Sequence, residues 1–142
     1  MSVSSFRVLL VEDDRLVARA VVRALVAAGF GVVSVPSCAA VAALRCQFDL
    51  GIFDIDLDDG SGVELADTLL AERRIQRAVF FTATTSRAER AHAAQLGLVI
   101  TKAKGQDALT AAVKQLADEL GPRLTRSDVV PAQALGKKEQ TG

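Results

Sequence analysis

Phe6-Arg7-Val8-Leu9-Leu10-Val11 runs straight into Glu12-Asp13-Asp14, and this junction decides the fold. Six residues that are mostly aliphatic, with no polar alternation, read as a short strand buried on both faces. The acids at its end cannot continue such a strand. From Arg15 to Ala28 the apolar residues Leu16, Val17, Ala20, Val21, Ala24, Leu25 and Ala28 recur at helical spacing, with Arg19 and Arg23 on the other side. Asp13 or Asp14 is expected to cap this helix, and Gly29 to end it.

The same unit recurs down the chain. Gly31 to Val35 reads as a strand and Ser37 to Cys46 as a helix capped by Ser37. Leu50 to Asp54 is a buried strand, and Gly60-Ser61-Gly62 opens a helix to about Arg74. Ala78 to Thr82, Ser86 to Leu96, Leu98 to Thr101 and Gln106 to Leu120 continue as strand, helix, strand and helix. Strict alternation implies parallel strands joined by right-handed helical crossovers. The expected fold is α/β, a flavodoxin-like doubly wound (βα)5 with a central five-stranded parallel sheet. Ligands in such folds bind at the carboxyl ends of the strands. One domain over 6–120 is expected, followed by a flexible polar tail over 121–142 in which no period is sustained.

Composition limits the function. The 142 residues fit one domain, half of them are apolar, and the formal net charge is zero. No global field draws the chain to nucleic acid or anionic lipid, so neither DNA nor membrane is expected as a partner. The apolar runs are too short to span a bilayer, and Met1 to Arg7 lacks the pattern of a signal peptide. A cytoplasmic location is expected. Cys38 and Cys46 match no zinc or redox spacing and are expected as reduced thiols. His92 has no partner at metal-ligand spacing and is expected on the surface.

The strand ends carry the chemistry. The first delivers Glu12 and Asp13, the third Asp54, the fourth Thr82 and the fifth Lys102. If these strands neighbour one another, three carboxylates, a hydroxyl and an ammonium converge on one crevice. Clustered carboxylates repel, and a hard divalent cation such as Mg2+ offsets them best. Asp54 could then stay ionised and attack phosphorus, with Lys102 and Thr82 stabilising the transferred group. Capping alone would explain Glu12-Asp13-Asp14 but not their convergence with Asp54. Asp54 to Asp59 begins like a calcium loop, but its sixth position is Asp59 instead of glycine and its twelfth is Leu65 instead of glutamate. Gly60 and Gly62 lack the lysine of a nucleotide loop.

In Val8–Asp14, Phe53–Gly62, Phe80–Ala83 and Ile100–Lys102 the chain resembles the receiver domains of bacterial two-component response regulators. The resemblance covers about residues 6 to 120. It implies that Asp54 is the phosphoacceptor. It implies that Glu12 and Asp13 hold Mg2+ together with Asp54 and the backbone carbonyl of Asp56. Thr82 would bind a phosphoryl oxygen, and Lys102 would pair with Asp54 or its phosphate. The implied donor is a phosphohistidine on a sensor histidine kinase or phosphotransfer protein. The output would be contact with a downstream protein target, through the surface of the fourth helix, fifth strand and fifth helix. Such a chain is a signalling protein, not an enzyme beyond its own phosphorylation and dephosphorylation.

Four departures from the family pattern stand out. Ala103 follows Lys102 where a cis-proline is usual, and a cis bond before alanine costs about 3 kcal/mol. Either that strain is kept or Lys102 is aimed differently. Val99 replaces the usual aromatic switch residue. Asp58 replaces a proline, and the connection between Gly97 and Lys102 is shorter than usual. Asp56 and Thr84 stand where family members tune acyl-phosphate hydrolysis. These departures motivate an alternative, a degenerate receiver acting as a phosphorylation-independent adaptor. A Mg2+-dependent phosphohydrolase with Asp56 as the further acid is a weaker third reading, since the domain is too small to carry a substrate cap.

Overall fold

The computed structural model describes residues 6–121. The expected tail, apart from Gly121, and the start of the chain lie outside the described residues. Five parallel strands form the central sheet: β1 (Arg7–Val11), β2 (Gly31–Val35), β3 (Leu50–Phe53), β6 (Arg77–Thr82) and β7 (Gly97–Thr101). Their order is β2-β1-β3-β6-β7, so the ends of β1, β3, β6 and β7 lie side by side, as the site requires. Between β3 and β6 lie a small antiparallel hairpin, β4 (Asp56–Leu57) and β5 (Gly60–Ser61), and helix α3 (Gly62–Ala71). The other helices are α1 (Arg15–Ala27), α2 (Cys38–Ala42), α4 (Arg87–Leu96) and α5 (Gly105–Leu120).

The apolar runs are continuous because the sheet is covered on both faces. Along β1, Val8 and Leu10 point to one core with Val21, Leu25, Leu109 and Val113 of α1 and α5. Leu9 and Val11 point to the other, with Val41, Val63, Ala66, Leu69 and Ala93 of α2, α3 and α4. Phe53 and Phe80, paired across β3 and β6, fill the second core with ring centroids 5.9 Å apart.

Caps behave as serine and aspartate dictate. Asp14, not Asp13, caps α1, its Oδ1 accepting the amides of Leu16 at 3.0 Å and Val17 at 3.2 Å. Ser37, Ser61 and Ser86 cap α2, α3 and α4.

Two elements differ from the sequence reading. The helix expected over Ser37 to Cys46 spans only Cys38–Ala42. Val41 is its sole buried side chain, and so short a helix has little stability of its own. Beyond it, Arg74 Nη2 donates to the carbonyl of Leu44 at 2.9 Å, while Leu44 and Cys46 still pack against the core. Tertiary contacts thus draw this stretch off the helical path. The helix expected from Gly60 starts instead at Gly62, because Asp56 pairs with Ser61 and Leu57 with Gly60 around the turn Asp58-Asp59.

Helix α4 ends at Leu96 and β7 begins at Gly97 with no residue between. Gly97 lies so close to its neighbour on β6 that an added Cβ would overlap the carbonyl oxygen of Ala78. No helix among the described residues is long and apolar enough to cross a membrane.

Candidate functional site

The three consecutive acids after β1 do three different things. Glu12, one residue past β1, is still tied to β2, its amide donating to the Val35 carbonyl at 3.1 Å, and the residue is only 3% exposed. Asp13 is half-buried, and its Oδ2 accepts the Asp58 amide at 2.9 Å. Asp14 turns outward to cap α1.

Asp54 follows β3 directly. Its amide donates to the Val11 carbonyl at 3.1 Å, which fixes it beside the end of β1, and it is 7% exposed. Lys102 opens a single 3-10 turn (Lys102–Lys104) after β7. Its Nζ lies 3.0 Å from Asp54 Oδ2 and 3.0 Å from Glu12 Oε1. The described residues contain no cis peptide bond. The choice raised by Ala103 is therefore resolved: Lys102 reaches both carboxylates across a trans bond.

Carboxylate oxygens of Glu12, Asp13 and Asp54 lie within 4.8 Å of one another. Burial pushes the Glu12 carboxyl above its ordinary value and the Asp54 charge adds to this, while the Asp14 amide and Lys102 act against it. For Lys102, burial works against the ammonium, but hydrogen bonds to Asp54 and Glu12 overcome it and raise the pKa above the usual 10.5. Lys102 therefore stays charged at neutral pH. Three carboxylates against one ammonium leave two negative charges uncompensated in a largely buried cluster, a donor set that fits one hard divalent cation.

Thr82 ends β6 with a fully buried side chain whose Oγ1 accepts the Thr84 amide at 3.1 Å. A hydroxyl that accepts one bond can also donate one. Asp56 opens β4, two residues beyond Asp54, with an exposed side chain. Thus Glu12, Asp13, Asp54 and Lys102 are brought into one cluster, with Thr82 on the strand between Asp54 and Lys102. Val99 is half-buried on β7 against the core. His92 is exposed on α4, and both cysteines are free and half-buried.

Sequence reasoning missed the hairpin and two acids. The Asp59 carboxylate accepts the amides of Cys38 and Ala39, both at 3.0 Å. Asp-Asp-Gly is turn chemistry and was the available signal. Asp49 is fully buried at the far end of the sheet, where its Oδ2 accepts the Arg7 amide at 2.8 Å. Nothing in local sequence distinguishes it from a surface acid.

A family model for the response regulator receiver domain matches residues 8–114. Among solved structures, the chain is similar to a CheY-like receiver domain protein from Methanospirillum hungatei JF-1, with 24% identity, a TM-score of 0.72 and coverage of 83% of this chain and 96% of that one. It is similar to TrrA from Thermotoga maritima, solved in complex with Mg(2+)-BeF, at 20% identity and TM-score 0.69, covering 78% and 98%. It is also similar to the receiver domain of a modulated diguanylate cyclase from Desulfovibrio desulfuricans G20, at 26% identity and TM-score 0.67, covering 80% and 94%. The first two, below 25% identity, speak to the fold alone. No match is found among curated proteins. The family match over most of the chain and the parallel sheet with carboxylates at its strand ends agree: this chain belongs to the response-regulator receiver domains, which accept phosphoryl groups in two-component signalling.

Proposed function

We propose that residues 6–120 act as a Mg2+-dependent phosphoryl acceptor, with Asp54 as the nucleophile. The observation that carries this is the single ammonium of Lys102 facing three clustered carboxylates. Glu12, Asp13 and Asp54 would hold the ion, with the Asp56 backbone carbonyl as a further ligand. When bound, Mg2+ supplies charge neutralisation for the phosphoryl oxygens and the carboxylates.

The chain's own residues do the rest. An Asp54 carboxylate oxygen attacks phosphorus in line. The P–N bond of a donor phosphohistidine breaks, its electron pair returns to the imidazole nitrogen, and an aspartyl acyl phosphate forms. Lys102 pairs with the added charge, and the Thr82 hydroxyl donates to a phosphoryl oxygen.

The donor is a sensor histidine kinase or phosphotransfer protein, and the product signals through contact with a downstream protein. A groove of about 930 Å³ supports docking beside the site. Glu12 and Asp13 line it together with Arg15, Arg19, Arg23 and Leu16, which is 75% exposed.

The test is incubation of the full chain with phosphoramidate, read by intact mass. Wild type is expected to gain one phosphoryl group with Mg2+ and none with chelator, and Asp54→Asn to gain none. Equal labelling of Asp54→Asn would remove Asp54 from the role. In the same samples Mg2+ is expected to raise the thermal midpoint of wild type, since an ion that binds only the folded state stabilises it. Asp13→Asn is expected to lose most of that rise.

Val99 favours a second reading, a phosphorylation-independent adaptor, because a valine cannot swing a ring between buried and exposed poses. Amide NMR with Mg2+ and beryllofluoride separates the two. Shifts reaching α4, β7 and α5 support a switch. Shifts confined to the strand ends support the adaptor.

A further inference from the structure

Resting on the reading of Glu12, Asp13 and Asp54 as a cation site, we infer that Asp59 is a positioning residue for it, clamping the β4–β5 hairpin to α2 so that the hairpin holds Asp13. The turn Asp58-Asp59 is bonded on two sides. The Asp58 amide donates to Asp13 Oδ2 at 2.9 Å. The neighbouring Asp59 carboxylate accepts the Cys38 amide on Oδ1 and the Ala39 amide on Oδ2, each at 3.0 Å. These partners lie 21 and 20 residues earlier in the chain. The hairpin also packs against the start of α2, since a Cβ on Gly60 would come within 3.3 Å of Cys38 Sγ.

The clamp has an opposing force to resist. The Asp58 and Asp13 carboxylates repel each other, and Asp59 adds to the repulsion on Asp58. With only two residues per strand, the hairpin is too short to hold its position by its own ladder. Two charge-assisted bonds from Asp59 to neutral amides anchor the turn without adding charge on the α2 side. Ser37 separately satisfies the next α2 donor, Ala40, at 3.1 Å. The start of α2 is therefore held by two independent caps, only one of which belongs to the hairpin.

Linkage makes the consequence reciprocal. If the clamp orients Asp13 for the cation, breaking it weakens cation binding, and cation binding strengthens the clamp by the same factor. The test is titration of the full chain with Mg2+ alone, by calorimetry and amide NMR, in wild type, Asp59→Ala, Asp59→Asn and Ser37→Ala. Asp59→Ala is expected to bind Mg2+ about five- to tenfold more weakly. Asp59→Asn, which keeps one acceptor oxygen, is expected between the two. Ser37→Ala, which loosens α2 without touching the hairpin, is expected to bind as wild type does. In wild type, Mg2+ is expected to slow hydrogen exchange of the Cys38 and Ala39 amides.

If wild type binds Mg2+ and Asp59→Ala binds it equally well, the clamp is refuted while the cation site stands. Equal weakening in Ser37→Ala also refutes it, since α2 stability alone would then explain the loss. If wild type does not bind Mg2+ at all, the cation-site reading falls and this inference with it.

Discussion

Alanine at position 62 is expected to lower the unfolding free energy by about 2–3 kcal/mol, the range for forcing a methyl group into closed packing. An added Cβ would overlap the Asp54 carbonyl oxygen, and would stand 2.8 Å from the carbon it is bonded to and 3.2 Å from Ile55 Cα. All three obstacles are backbone, so no side chain can swing aside. The backbone itself is fixed. Asp54 donates to Val11, Gly62 donates to Ile55 at 2.9 Å, and Ile55 is fully buried. The strain falls on the backbone of Asp54 itself, so Mg2+-dependent labelling is expected to drop as well. Gly60→Ala is the control. Its Cβ meets only Cys38 Sγ at 3.3 Å, and a loss under about 1 kcal/mol is expected for so adjustable a contact. Urea denaturation measures both, and a Gly62→Ala variant within about 0.5 kcal/mol of wild type would contradict the packing described.

Lys102→Met is expected to have the other large effect. It leaves Glu12 and Asp54 buried beside Asp13 with no cation. Removing one partner of a buried ion pair costs about 3–5 kcal/mol, and because the lysine side chain is 21% exposed the expected loss is nearer 2 kcal/mol in metal-free protein at neutral pH. The sign of the pH dependence follows from Glu12. Burial already holds its carboxyl above the ordinary 4.5, and loss of the ammonium raises it further. A carboxyl whose folded pKa exceeds its unfolded one favours the fold most when protonated. Stability is then lost as pH rises from 4.5 through the folded value. The deficit relative to wild type is thus expected to be small near pH 4 and to widen toward neutrality, and Mg2+ should recover most of it. Denaturation over a pH series checks this, and a pH-independent deficit would contradict it. Phosphoryl transfer to Asp54 is expected to slow about 10²–10³-fold, as when one preorganised charge donor is removed.

How far the sequence could be read follows from where its information lies. Four of the five strands of the sheet were legible because each is an apolar run ending in a polar or charged residue: Glu12, Asp54, Thr82 and Lys102. Alternation of strands and helices then implied the sheet order, and the order implied the cluster. Local pattern failed where tertiary contacts overrode it. The helical spacing from Ser37 to Cys46 continues past Ala42, but Arg74 takes the Leu44 carbonyl and the chain leaves the helix. Asp59 and Asp49 act through side-chain bonds to amides 20 or more residues away, and such bonds leave no period. For Lys102 the sequence posed a choice and geometry decided it, because the 3-10 turn aims the ammonium without a cis bond.

In the function proposed above, Asp54 and no other acid of the strand-end cluster attacks phosphorus. Borohydride reduction of the phosphorylated chain tests this directly, since it converts an acyl-phosphorylated aspartate to homoserine, which peptide mass spectrometry can place. Homoserine at position 54 alone, formed only when Mg2+ was present, is the predicted result. Homoserine at position 13, 56 or 58, or a modification indifferent to Mg2+, would contradict the account.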